Sequence, residues 1–188
     1  MLNIKTNIAK YINSELRDIK NANTKATRSA TTKAARQGAT AGKQAVREYY
    51  TIPAAKLNEA TKIKPASSND PSAKIIVTGK PLSMEYYRLL KNKIKGATAM
   101  IIKGKRVTIP GDAGAGTKSF VANVKAGKGL HKGIFYRTSK KRLPIITRVG
   151  PSAPDLMRSR RAYNAIASYV KINYERIFDS EYKYYKSK

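Results

Sequence analysis

The stretch Gly111-Asp112-Ala113-Gly114-Ala115-Gly116-Thr117-Lys118-Ser119 comes nearest in this chain to a ligand-binding signature. Its glycines free backbone amides to surround a phosphate, and a lysine follows to neutralise it. A P-loop needs that lysine directly after its last glycine and a helix beyond. Here Thr117 intervenes and the next residues alternate as a strand does, so the stretch reads as a mobile loop between strands. General acid–base chemistry draws on His, Asp or Glu gathered in a pocket. This chain has one histidine, His131, set among glycines and lysines in what reads as an exposed turn, and between Glu85 and Asp155 its one carboxylate is Asp112. Cysteine is absent and no histidine stands with carboxylates at ligand spacing, so neither a metal, a cofactor nor catalysis is expected.

Positive charge is the stronger signal. Thirty-nine Lys and Arg against eleven Asp and Glu give a formal charge of +28 over 188 residues. The excess is uneven: Arg88 to Arg148 holds sixteen basic residues and one acid, whereas Met1 to Lys64 holds thirteen and four, and Pro151 to Lys188 eight and four. A compact fold would concentrate a large positive field over the middle of the chain, and such a field calls for a polyanion. Lys91, Lys93 and Lys95, then Lys103, Lys105 and Arg106, then Lys140, Lys141 and Arg142 lie in or beside turns, where side chains reach outward from a sheet edge. Lys93, Lys95, Lys103, Lys105, Arg106, Lys140, Lys141 and Arg142 are therefore expected to face DNA or an acidic neighbour. One isolated cluster would read as a solvated face; three in one stretch with a single acid favour contact. Zinc-finger spacing, a basic region running into a zipper and an aromatic RNA-binding strand are all missing, so contact should fall on backbone phosphates without sequence readout.

Three regions must position these residues: a helical one over 1–64, a basic sheet over 65–150 and a C-terminal helix over 151–188, together one domain with a helical arm. At 41 % hydrophobic residues the chain can bury a core. No apolar run approaches a membrane span and the start has no secretory h-region, so a soluble, intracellular protein without a membrane partner is expected. From Ile4 the positions Ile8, Ile12, Leu16 and Ile19 form one helical stripe, continued in small residues by Ala22, Ala26, Ala30, Ala34, Gly38 and Ala45. Small side chains let another backbone approach closely. Ala26, Ala30, Ala34 and Ala45 thus mark either a subunit interface or packing on the chain's own domain. The helix should end at Tyr49-Tyr50, followed by a short second one through about Thr61 with Pro53 in its first turn.

After the turn-rich Lys64 to Pro71, strand patterns appear at Lys74–Thr78, Ala97–Ile102, Val107–Ile109, Ser119–Val124, Gly133–Arg137 and Leu143–Val149. Gly127, Gly129 and Gly133 flank His131 and mark a connection. Ser152 with Asp155 forms a near capping box, and Leu156, Ala162 or Tyr163, Ile166, Tyr169 or Val170, Asn173 and Ile177 fit one face of a long closing helix. The expected class is α+β: a long N-terminal helical arm, a central antiparallel sheet of about four to six short strands, and a long C-terminal helix.

Five stretches, taken in order and with their spacing, carry a resemblance: Thr78-Gly79-Lys80-Pro81-Leu82-Ser83, Phe120-Val121-Ala122, Gly133-Ile134-Phe135-Tyr136-Arg137, Arg142-Leu143-Pro144-Ile145 and Gly150-Pro151-Ser152-Ala153-Pro154. Together with the Ala-rich helices and the closing helix they resemble the minor tail protein Z family of tailed bacteriophages, the tail completion proteins. The resemblance implies a non-catalytic structural role in the virion, at the head-proximal neck of the tail, after assembly in the host cytoplasm. It implies a homo-oligomeric ring, often sixfold, with the tail terminator, tail tube and head connector as neighbours and genomic DNA passing through. The Tyr-rich ending and the Gly111 to Gly116 loop have no place in the family pattern. The same charge would also serve a stand-alone architectural nucleic-acid-binding protein.

Overall fold

The computed structural model describes residues 4–92, 96–126 and 129–187. It is α+β, with a long first helix, short antiparallel strands and a long last helix, as the sequence pattern predicts. The described strands do not form one sheet; they divide among sheets of two, four and three strands. The chain falls into two compact units, and each takes residues from more than one of the three sequence regions.

The first unit comprises the chain up to Ala41, Lys62–Ile76 and the chain from Asn164 onward. Its main elements are most of α1 (Ile4–Tyr49) and of α4 (Arg160–Lys186), together with the ribbon of β1 (Thr61–Lys64) and β2 (Lys74–Val77). Ala26, Ala30 and Ala34, at steps of four, are 0 %, 0 % and 2 % exposed. Ala30 and Ala34 pack on Ile177, Tyr174 and Phe178 of α4, and a Cβ on Gly38 would stand 3.2 Å from Val170. Positions rise along α4 as they fall along α1, so the helices are antiparallel, and residues four apart form the ridge that meets a neighbouring helix. The close approach that small residues allow is thus used by the chain's own last helix. This corrects the subunit-interface reading for Ala26, Ala30 and Ala34, which have no surface left to share; Ala45, in the other unit, is partly exposed. At the far end of this contact Glu181, buried at 8 % side-chain exposure, pairs with Lys33 and accepts from the Ser29 hydroxyl.

The second unit comprises Gly42–Thr61 and Val77–Tyr163. The end of α1 docks on β5 (Gly96–Ile102) through Thr51 N to Ile101 O and Lys103 N to Tyr49 O, at 2.8 and 2.9 Å. Pro53 stands at the N-cap of α2 (Ala54–Ala60), where its missing N–H removes nothing a helix needs. One antiparallel sheet orders β3 (Pro81–Ser83), β9 (Ile145–Ser152), β8 (Gly129–Arg137) and β7 (Phe120–Ala126) side by side; the other orders β4 (Leu90–Asn92), β5 and β6 (Lys105–Thr108). The largest fully buried side chains, Val46, Leu57, Tyr87 and Ile134, make this unit's core. Tyr87, in a 3-10 turn after β3, donates its hydroxyl to Pro151 O at 2.6 Å. Burial, aided by the Asp155 carboxylate, raises its phenol far above the ordinary tyrosine range. Its ring lies so close to β9 that a Cβ on Gly150 would come within 2.4 Å of it.

Two expectations are corrected in the second half of the chain. The closing helix is two helices: α3 (Ala153–Met157), opened by the complete Ser152–Asp155 capping box, stops at Arg158, and α4 restarts after Ser159, whose hydroxyl accepts from Ala162 N. Of the alternatives on its face, Ala162 is buried and Tyr163 is 68 % exposed. His131 is not in a turn; it lies inside β8, paired with Val124 of β7, because the Gly129–Arg137 strand starts earlier than its apolar residues do. Gly127 lies outside the described residues.

Candidate functional site

The expected cationic residues occupy two places in the second unit. β5 and β6 form a hairpin closed by a turn at Lys103-Gly104, with Ile102 opposite Lys105 and Ala99 opposite Val107. β5 is buried over Gly96–Ala99, while β6 is exposed along its whole length as the edge of its sheet. Lys103, Lys105 and Arg106 are accordingly all exposed. Charge on an edge strand also deters pairing with other chains, so part of this patch is explained without a ligand.

Lys140, Lys141 and Arg142 sit in the loop between β8 and β9 and are likewise exposed. Ser139 Oγ accepts from Lys141 N, and Arg137 Nε donates to Arg142 O at 3.2 Å, so the loop has internal supports. The Arg137 guanidinium stands 4.5 Å over the Phe120 ring, which keeps it extended. Lys140 and Arg137 join Lys118, Phe120 and Gly96 around an open hollow of about 580 Å³. Its floor is held by Ser119: the buried hydroxyl donates to Ile109 O and accepts from Ala97 N.

The glycine-rich stretch forms one rim of this hollow. It is a closed loop in which Asp112 and Thr117 bridge, Asp112 Oδ1 accepts from Ala115 N at 3.0 Å, and Gly111 passes so near Thr117 that a Cβ would overlap its carbonyl at 1.8 Å. No helix follows; Phe120 begins β7. The central acid is therefore spent on its own loop. Among the described residues no carboxylate pairs with Lys103, Lys105, Arg106, Lys140, Lys141 or Arg142. Lys93 and Lys95 lie outside the described residues.

The structure does not merge the two patches. β5 runs from Gly96 at the hollow to Ile102 at the hairpin tip, roughly 20 Å at about 3.3 Å per residue. Screening at physiological salt acts over about 8 Å, so a small anion meets one patch or the other. A duplex carries a charge every ~1.7 Å of axis and would reach both. The hollow's Lys118, Arg137 and Phe120 were missing from the sequence-based set. The strand positions of Phe120 and Arg137 were legible and Lys118 lies just before β7, but their convergence depends on pairing between β7 and β8.

No three His, Cys, Asp or Glu among the described residues are grouped to hold a metal ion, and none of the described helices is long and apolar enough to cross a membrane. Comparison with protein-family models, with curated proteins and with solved structures finds no match for this chain.

Proposed function

We propose that this chain is a structural component of a tailed-phage virion, a tail-completion or neck protein at the head-proximal end of the tail, acting by binding and not by turnover. The five ordered stretches and the helices around them support the family reading. The single observation that carries the binding role is that Lys103, Lys105, Arg106, Lys140, Lys141 and Arg142, in one unit, pair with no carboxylate among the described residues. In this reading copies form a ring around the DNA channel, beside the tail terminator, tail tube and head connector, with Lys103, Lys105, Arg106, Lys140, Lys141 and Arg142 toward the genome or an acidic neighbour. With Ala26, Ala30 and Ala34 covered, subunit contacts fall to exposed apolar side chains such as Ile172, at 76 % exposure, and Leu16.

A stand-alone architectural nucleic-acid-binding protein is the second reading, favoured by the hollow, where a cation and an aromatic ring adjoin without any need for a ring of subunits. Charge reversal separates the two. Virions assembled with Lys105→Glu, Arg106→Glu, Lys140→Glu and Lys141→Glu should lose infectivity while the purified variant keeps its melting temperature within a few degrees. Unchanged infectivity removes the assignment of these residues. Steeply salt-dependent DNA binding by the free protein, with no incorporation into particles, selects the second reading.

A further inference from the structure

The first unit holds a second concentration of positive charge. Lys25, Arg28, Lys33 and Arg36 recur along one face of α1 and, with Ala66 and Tyr185, line a groove of about 340 Å³. Its shape is built in: Thr32 Oγ1 donates to Arg28 O at 2.8 Å and accepts from Ala66 N at 3.1 Å, which ties the segment after β1 to the helix. Of the four cations, Lys33 alone has a carboxylate, Glu181; Lys25, Arg28 and Arg36 have none among the described residues.

Arg28 adds an independent observation. Its Nε is buried without a hydrogen-bond partner. Folded proteins leave few such donors unmade, and a charged one is among the more costly to leave so. An anion that draws the Arg28 guanidinium into the groove would give that Nε the acceptor it lacks. The spacing narrows the kind of anion. Arg28 and Arg36 are eight residues apart on α1, about 12 Å along the axis at ~1.5 Å per residue. Over that distance one strand of a duplex presents three or four phosphates at a rise of about 3.4 Å each. A single carboxylate or free phosphate meets one cation and leaves the others unpaired, whereas a row of phosphates meets the row. Arginine's planar fork also suits phosphate oxygens in pairs.

We propose that this groove on α1 binds consecutive phosphates of a nucleic-acid backbone, with Arg28 and Arg36 as its principal contacts. The site rests on the first unit alone and does not depend on the central patches. The test is anisotropy of a fluorescent DNA duplex titrated with the full chain across a range of KCl, comparing Arg28→Gln/Arg36→Gln with Lys105→Gln/Arg106→Gln. Two lost phosphate contacts at about 0.9 each should flatten the slope of log K against log salt by about 2 and weaken binding about 30-fold at 0.15 M salt. The same loss should appear on top of the Lys105→Gln/Arg106→Gln background, and Arg28→Lys should keep the slope while losing affinity. Lys25→Gln/Arg36→Gln, two exposed positions, guards against misfolding of the Arg28 variant and should flatten the slope equally. Slope and affinity unchanged by Arg28→Gln/Arg36→Gln overturn the proposal, as does a wild-type chain that does not bind DNA. Binding of inorganic pyrophosphate that depends on Arg28 while DNA binding does not also overturns it, by assigning the groove to a free phosphate.

Discussion

Removing Lys33 should harm the protein more than neutralising its partner. Glu181 is 8 % exposed at its side chain and Lys33 is 54 % exposed, so the two halves of the pair start from different solvation. Burial alone would raise the Glu181 carboxyl, but hydrogen bonds from Lys33 and Ser29 and the lysine's charge outweigh it and hold the group below its ordinary value. In Lys33→Met the carboxylate keeps only the Ser29 hydroxyl. Leaving a fully buried charge without its partner costs about 3–5 kcal/mol; with Ser29 still in place, about 2–3 kcal/mol is expected. Glu181→Gln keeps an acceptor for Ser29 and releases a lysine already half in water, a loss of about 1 kcal/mol. At about 2–4 °C per kcal/mol for a chain of this size, the two variants should melt roughly 4–12 °C and 2–4 °C below the parent. The sign with pH is opposite in parent and variant. The parent's contribution from Glu181 is present above the unfolded carboxylate value and is lost as pH falls through the lower folded one. In Lys33→Met the folded value rises instead, so acidification should narrow the gap to the parent. Thermal melts followed by circular dichroism from pH 7 to pH 4 measure both. A Lys33→Met penalty no larger than that of Glu181→Gln, or one that widens in acid, refutes the reasoning.

Gly150→Ala should cost about 1–3 kcal/mol by overpacking, since its Cβ would come within 2.4 Å of the Tyr87 ring; a melting temperature equal to the parent's would show that the ring yields freely. Ser119→Ala deprives Ile109 O of its buried donor and should cost about 1–3 kcal/mol, with modestly faster amide exchange at Ala97, whose N–H is shared between Ser119 Oγ at 3.2 Å and Ser119 O at 3.1 Å and keeps only the second. Exchange at Ala97 unchanged from the parent would separate that hydroxyl from the floor of the hollow.

The features readable from sequence were those written in neighbouring residues. The alanine part of the α1 stripe and the Ser152–Asp155 capping box are local patterns, and both stand in the structure, whereas Leu16 and Ile19 of the same stripe are exposed at 58 % and 42 %. The break at Arg158-Ser159 carries no Gly or Pro, and a serine three residues before Ala162 is a faint mark inside a face that otherwise keeps its period. β3 and β4 are three residues each, too short to show alternation. The alanine stripe said that something comes close, not what; α4 answers, with Glu181 lying 148 residues beyond Lys33. The groove on α1 is different. Lys25, Arg28, Lys33 and Arg36 are spaced for one helical face and so are legible in the sequence, but the acid-poor centre, with sixteen basic residues to one acid, is a denser signal than a region whose four acids partly meet its charge.

The partnership of α1 with α4 bears on how the molecule is made. A ribosome adding about 5–20 residues per second takes roughly 7–30 s to pass from Lys33 to Glu181, 148 residues later. Through that interval the first helix waits with its alanine ridge bare and its arginines open, while the sheets of the second unit have most of their own residues at hand. The first unit is therefore completed last, although its longest helix is synthesised first, and the nascent chain must keep that helix from other partners until its own arrives.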